Sequence, residues 1–261
     1  MKKLYVLIIF ILCIPFRVNA IEACIRSYDN LYVPKNQFLV VAGNFDENEI
    51  LDMIKDFYSK YTFKNNKRSL MILENNNVVK KEHSIEGNDV TEVSISYKIN
   101  TKDMDSFDKY KYDWYLGWFG DINFSKYSIL NEELKKDNII KGNISFSFYN
   151  RCGFEILEIG AYTKYKDEFI KRVNNIIFNF KNSSNEFDFA KKESKLHLSV
   201  RSDYISNYVV PVIDNYISFN YPYNDTIDFI DSLNYDEYIN FIRDTNFDNY
   251  CIFVVKGKDL K

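Results

Sequence analysis

The chain has 261 residues, a formal charge of −3 and aromatic side chains at 17% of positions. An acidic balance with no basic face gives neither nucleic acid nor an anionic membrane anything to hold, so both are excluded as partners. Tyr, Phe, Asn, Lys and Ile are frequent while Gly and Pro are scarce, which reads as coding bias and says little about function.

The first twenty residues have the layout of a secretory leader. Lys2 and Lys3 form a basic start, Leu4 to Phe16 an apolar stretch, and Val18-Asn19-Ala20 a small-residue cleavage site, with the cut expected after Ala20. The apolar stretch falls short of the roughly 20 residues that span a bilayer. An uncleaved anchor is the lesser alternative, and the mature chain is expected to be secreted and free of the membrane. Cleavage removes three basic residues and no acids, taking the charge from −3 to −6. About 240 residues then remain, enough for one large domain, or one domain and a fragment.

Residues 38 to 42 (FLVVA) are a continuous apolar run and predict a strand buried on both faces. Gly43-Asn44 is turn chemistry. Asp46 and Glu49 are spaced as a capping box, and Phe45 and Ile50 as a hydrophobic staple. Ile50, Met53, Ile54, Phe57 and Tyr58 follow at helical intervals, so the helix has a face to dock. A phosphate loop is not indicated, because neither G-x-G-x-x-G nor a Gly-Lys-Ser/Thr end follows Gly43. Residues 63 to 82 are polar and Asn-rich and read as a linker, broken only by Leu70 to Leu73.

A second unit is expected over 83 to 261. Val90 to Ile99 alternates as a half-buried strand. Asp105 to Gly120 reads as a helix with Phe107, Tyr110, Trp114 and Trp118 at helical spacing, leading to a loop at Gly120; Ser125 to Asp137 reads as another helix. Gly142–Asn150 and Phe154–Tyr162 predict a hairpin with Ile144, Phe146 and Phe148 on one face. Lys166 to Lys181 is amphipathic. One longer helix is expected from about Asn185 to Asn207, then a capped helix over Ser232 to Asp244 with Asn234 and Glu237 as its box. Asn249 to Gly257 closes the chain as a buried strand. Strands returning to one sheet with helices between them make an α+β fold, a two-layer sheet with helices packed on one face.

Catalytic groups are sparse. There are two histidines, His83 in the polar linker region and His197 on a helix, and neither sits in H-E-x-x-H or H-x-x-E-H. No G-x-S-x-G is present. Cys24, Cys152 and Cys251 would survive cleavage, too few and too scattered for a disulfide framework or a zinc knuckle, although one pair could form. Asn123, Asn143, Asn182 and Asn224 begin Asn-x-Ser/Thr sequons, which matter only in a eukaryotic host.

The order of segments resembles the insulinase/pitrilysin family of zinc metallopeptidases, the inverzincins, in its insulysin and pitrilysin branch. Tyr32, Pro34 and Asn36 before FLVVAGNFD, and the helix to Tyr58, are similar to the end of that family's catalytic domain. WYLGWFGDINFSKYSILNEELKKDNII, RCGFEILEIGAYTKYKDEFIKRVNNIIFNF and SLNYDEYINFIRDTNFDNYCIFVVKGK are similar to the following, non-catalytic domain. The resemblance implies a chain that starts after the H-x-x-E-H motif and its downstream Glu, with no catalytic residue and no metal ligand of its own. Zinc would enter only on a partner chain. It also implies one wall of a chamber, in which an extended peptide adds to a sheet edge. By position that wall comprises Gly120, Asn143, Ser145 and Ser147, where the family favours glycines and this chain has GNISFSF. Three readings are open: a non-catalytic insulinase-like chain, such as a pseudopeptidase or one part of a split endopeptidase; a stand-alone peptide-binding module; and a scaffold that kept the fold alone. The apolar run at Phe38 favours a protein partner, since a strand without its sheet neighbours must be covered.

Overall fold

The computed structural model describes residues 37–62, 75–87, 89–151, 153–201, 205–220 and 226–258. The chain divides into two compact units, Met1–Ile72 and Leu73–Lys261. In the first, helix α1 (Glu47–Ser59) starts as the capping box requires, with the Asp46 carboxylate accepting from the Glu49 amide at 3.0 Å. No residue of α1 is buried, and Met53 and Phe57 are 62% and 54% exposed. The expected strand over Phe38 to Ala42 does not form: these residues take no regular structure, and Leu39 is 67% exposed. A strand buried on both faces exists only between two neighbours, and among the described residues none pairs with this run. Tyr32, Pro34 and Asn36 lie outside the described residues.

The second unit is a five-stranded sheet with seven helices among the described residues. The strands are β1 (Glu82–Glu86), β2 (Glu92–Asn100), β3 (Lys141–Arg151), β4 (Phe154–Tyr162) and β5 (Tyr250–Lys256), in the order β1-β5-β2-β4-β3. Only β1 with β5 is parallel; the other pairs are antiparallel. The helices are α2 (Ser106–Phe124), α3 (Ile129–Lys136), α4 (Lys166–Asn179), α5 (Ser184–Arg201), α6 (Ile205–Phe219), α7 (Thr226–Ser232) and α8 (Tyr235–Asp244). The α+β fold read from the sequence is therefore the observed one.

Register assigns the faces, because directly opposed residues share a side. Val93, Ile95 and Tyr97 of β2 oppose Ala161, Ile159 and Leu157 of β4 and Val254, Ile252 and Tyr250 of β5. All of these belong to the helix-side core or pack against it. From β3, Ile144, Phe146 and Phe148 join the same side, as the hairpin's alternation predicts.

Helix α2 is buried on nearly every side rather than along a stripe, with Tyr112, Tyr115, Leu116, Trp118, Phe119 and Gly120 all inside. It touches α5, α6, α8, β3 and β4. Glu237 of α8 ties it down: its carboxylate accepts from Lys111 Nζ at 2.5 Å and from the Tyr115 hydroxyl at 2.8 Å. The N-cap half of the Asn234–Glu237 box forms, with Asn234 Oδ1 accepting from the Glu237 amide at 2.9 Å, while the Glu237 carboxylate is engaged by Lys111 and Tyr115 instead.

Three elements differ from the sequence reading. His83 is part of edge strand β1, its ring stacked on Phe253 at 5.5 Å, and not part of a linker. Residues 75–81 are likewise tied to the sheet, with the Val78 amide donating to Asn249 Oδ1 at 2.9 Å and the Ile252 amide to the Lys81 carbonyl at 2.8 Å. Helical structure from Ser184 extends past the expected end near Asn207, as α5 to Arg201 and then α6 from Ile205 to Phe219, with Pro211 inside the latter. Val209-Val210-Pro211-Val212-Ile213 has poor helix propensity, and packing against α2 overrides it, with Tyr110 and Phe219 rings 5.2 Å apart.

Gly120 lies within α2, not in a loop after it. A Cβ at this position would come within 1.9 to 2.7 Å of three Phe146 ring carbons. Gly120→Val should therefore lower stability by about 1–3 kcal/mol, the usual range for overpacking. Thermal unfolding checks this, and Phe146→Ala in the same chain should recover part of the loss.

Candidate functional site: an open sheet edge

Helices cover one side of the sheet, so the other side and its margins are where a ligand can approach. Strand β3 is the last in the sheet, and among the described residues nothing pairs with its outer edge. Ser145 and Ser147 are exposed on the open side. Ser145 opposes Gly160, which opposes Ser94. Ser147 opposes Glu158, which opposes Ser96. One row of small residues and a second centred on Glu158 thus run inward from the edge. An added Cβ at Gly160 would sit 3.0 Å from Ser145 Oγ and 3.3 Å from Ser94 Cβ, so this glycine keeps the first row shallow.

The strand begins with an irregularity between Lys141 and Ser145, where Gly142 adopts φ +81°. Bulges of this kind end pairing and re-aim a strand. A buried side chain holds this one in place. Asn131 of α3 accepts from the Ile144 amide through Oδ1 at 2.9 Å, and its Nδ2 donates to the Lys126 carbonyl at 2.7 Å and to Asn143 Oδ1 at 3.2 Å. The helix that carries Asn131 is fixed by its own cap, Ser128 Oγ accepting from the Asn131 amide at 3.2 Å.

Of the four residues the sequence singles out, the structure brings Asn143, Ser145 and Ser147 together on β3 and sets Gly120 apart. Gly120 is buried on the helix side behind Phe146, where no peptide on the open side can reach it. Asn131 and Gly160 were missed. A buried amide that caps a distant strand leaves no periodic mark, since the Ile144 amide it holds is 13 residues away in sequence.

The edge offers backbone groups and hydroxyls but no activated nucleophile. His83 lies on the opposite margin, four strand spacings or about 19 Å from β3 at the usual sheet spacing. His197 is on α5, 3.8 Å from Glu193. Among the described residues no three His, Cys, Asp or Glu side chains gather to hold a metal. The zinc that the resemblance implies finds no such donor set among these residues. Cys251 is a free, half-buried thiol, with burial raising its pKa; Cys24 and Cys152 lie outside the described residues. Among the described residues no helix is long and apolar enough to cross a membrane.

Asn131→Ala should cost about 1–3 kcal/mol, because it strands the Ile144 amide in a buried site. Amide hydrogen exchange at 142–145 should accelerate more than in the helices, which separates loss of the bulge from general loosening.

No curated protein sequence matches this chain. Solved structures do, at identities that speak for the fold alone. A putative M16-like peptidase from Alicyclobacillus acidocaldarius superposes with a TM-score of 0.75 at 17% identity, covering 91% of this chain and 58% of that one. A protease from Helicobacter pylori gives 0.70 at 12% identity, over 90% and 58%. The ferredoxin protease FusC in complex with Arabidopsis ferredoxin gives 0.62 at 10% identity, over 92% and 30%. This chain thus spans less than two thirds of each. The sequence profile described as the peptidase M16 inactive domain matches residues 22–194, a span that takes in α1 as well as most of the sheet. The chain belongs to the M16 peptidase family, as a copy of its inactive domain.

Proposed function

We propose that this chain is a secreted, non-catalytic member of the insulinase-like peptidases that supplies a peptide-holding wall to a zinc endopeptidase whose metal-binding part is another polypeptide. The observation that carries the reading is the open edge of β3 on a domain whose described residues gather no set of metal-holding side chains. A free strand edge can take an extended peptide through backbone hydrogen bonds alone, with side-chain rows adding selectivity. The M16 structure solved with ferredoxin is of a protease with another protein bound, which supports protein cargo for this fold.

A catalytic partner is supported by the first unit. Its apolar residues at Leu39, Met53 and Phe57 are exposed, and a stretch of this kind calls for cover. The M16 profile begins at residue 22, so this unit is part of the family pattern and not an appendage. In the reading proposed, Leu4 to Phe16 direct export, and cleavage follows Ala20.

The purified chain is expected to cleave no peptide and to bind no stoichiometric zinc. Affinity capture of the mature chain from its native secretions should recover a stoichiometric H-x-x-E-H protein with zinc, identified by mass spectrometry. Chelator-sensitive cleavage by the pure chain would overturn the proposal. A lone, zinc-free chain that still binds extended peptides at micromolar concentration would establish the stand-alone binding module instead. In either case Ser145→Lys with Ser147→Lys should weaken peptide binding, because charge on an edge strand opposes strand addition.

A further inference from the structure

The sheet end opposite Gly142, where β2 runs out at Asn100 and β5 begins at Tyr250, holds a cavity of about 420 Å³. Small-ligand pockets run from roughly 300 to 1,000 Å³, so this one takes a small molecule and not a folded partner. The side chain of Asn249 builds one wall by stapling residues 76–78 to the strand end. Its Oδ1 accepts from the Val78 amide at 2.9 Å, and its Nδ2 donates to the Asn76 carbonyl at 2.8 Å and the Lys98 carbonyl at 2.9 Å. The apolar part of the lining is Ile99, Met104 and the rings of Tyr112 and Phe241, which lie 5.9 Å apart. Thr245 donates to the Phe241 carbonyl at 2.8 Å, which leaves Tyr112 as the donor in its 2.7 Å bond to Thr245.

Three asparagines of the lining share one arrangement. The side-chain oxygens of Asn76, Asn100 and Asn246 accept from Lys102 Nζ at 2.9 Å, the Lys102 amide at 3.1 Å and the Asp248 amide at 2.8 Å. Their NH2 groups have no partner among the described residues, and neither do the Asn77 side-chain amide and the Asp244 carboxylate, which also line the cavity. Beside this lining, Thr101 follows Ile99 by two residues and Glu155 opposes it across the sheet. Both are buried, and each has a side-chain oxygen without a hydrogen-bond partner. The region therefore holds more hydrogen-bonding capacity than the protein itself satisfies.

Charge narrows the ligand. A free anion would find the three NH2 donors but also Asp244, a carboxylate with no cation paired to it among the described residues. An organic cation would approach Lys111 Nζ, 5.5 Å from the Phe241 ring, and the ammonium groups of Lys98 and Lys102, held at the Asn75 carbonyl and Asn76 Oδ1. A neutral ligand meets neither cost. It must accept from amides and donate to a carboxylate, which a hydroxyl does in both directions. It must also offer an apolar side to the two rings. We propose that this cavity binds the ring of a neutral sugar, with Asp244 and the NH2 groups of Asn76, Asn100 and Asn246 holding its hydroxyls and the Tyr112–Phe241 pair meeting its C–H face. No lining residue belongs to β3, so the site stands whether or not that edge holds peptide.

The experiment is saturation-transfer NMR on the full mature chain with glucose, trehalose, mannose and N-acetylglucosamine, each at up to about 20 mM. At least one is expected to bind with a Kd on the order of 1 mM. Preference for mannose or N-acetylglucosamine would identify a protein-borne glycan as the source, and preference for glucose or trehalose a free sugar; both support the site. Asp244→Ala and Asn246→Ala, at exposed positions, should each raise the Kd at least about fivefold, since each removes a hydrogen-bonding group from the ligand. No transfer from any of the four sugars would overturn the proposal. So would a smaller change in both variants, which would put the sugar elsewhere. Acetate or tetramethylammonium bound more tightly than every sugar, and lost in Asp244→Ala, would overturn it in favour of an ion site.

Discussion

Everything in the second unit is arranged around how closely α2 can lie on β3. Gly117 faces the Phe148 ring and Gly120 the Phe146 ring, at distances a side chain would occupy. The two rings stack on each other, 5.8 Å apart and 17° from parallel. With α2 seated there, its other flanks take Trp118 against Phe187 of α5 and Tyr115 against Tyr238 and Phe241 of α8. Each large side chain buried in this way contributes on the order of 1.5–3 kcal/mol. The seat also decides which side of β3 is spent on the core, and so leaves Ser145 and Ser147 on the other.

Polar groups make that packing specific. Asn123 at the end of α2 and Asn182 before α5 exchange amide hydrogen bonds at 3.0 Å in both directions, and Tyr238 donates to the same Asn182 Oδ1 at 2.6 Å. Both asparagines begin sequons, and Asn182 is buried, so in the folded chain these two positions are taken up by structure. Asn143, also a sequon residue, is exposed at the start of β3. Buried amide networks of this kind fix one packing out of several because each member left unpaired costs the others. The Glu155 site departs from that rule: its Oε2 has no hydrogen-bond partner, nor do the Thr101 hydroxyl and the Trp114 indole N–H.

What could be read from the sequence was what depends on neighbours along the chain. Asp46 with Glu49 and Asn234 with Glu237 are local signals, and in both the N-cap side chain accepts from the amide three residues on. The Ile144, Phe146, Phe148 alternation needs only the pleat of one strand. Phe38 to Ala42 failed because a run of β-formers specifies a strand's appetite for neighbours, not their presence. Gly120 failed differently: its spacing suggested the end of a helix, while its purpose is a close approach to a ring 26 residues later. Residues 205–219 were illegible because Val209 to Ile213, with Pro211 among them, argue against a helix, and apolar Val210 and Ile217 lie exposed and so blur its period.

The two sides of β3 make opposite demands, and this bears on why an inactive domain would keep the strand at all. Its helix side requires rigidity, supplied by Phe146, Phe148 and the Asn150–Glu155 hydrogen bond. Its outer edge requires unpaired backbone, which invites non-specific association unless something limits it. The bulge at Gly142, pinned by Asn131, is such a limit at one end, because it bends the strand out of register with any long straight partner. The regular stretch that remains, from Ser145 to Arg151, is the run that pairs without interruption against β4. A strand kept rigid behind and interrupted at its start favours a short extended segment over a whole sheet.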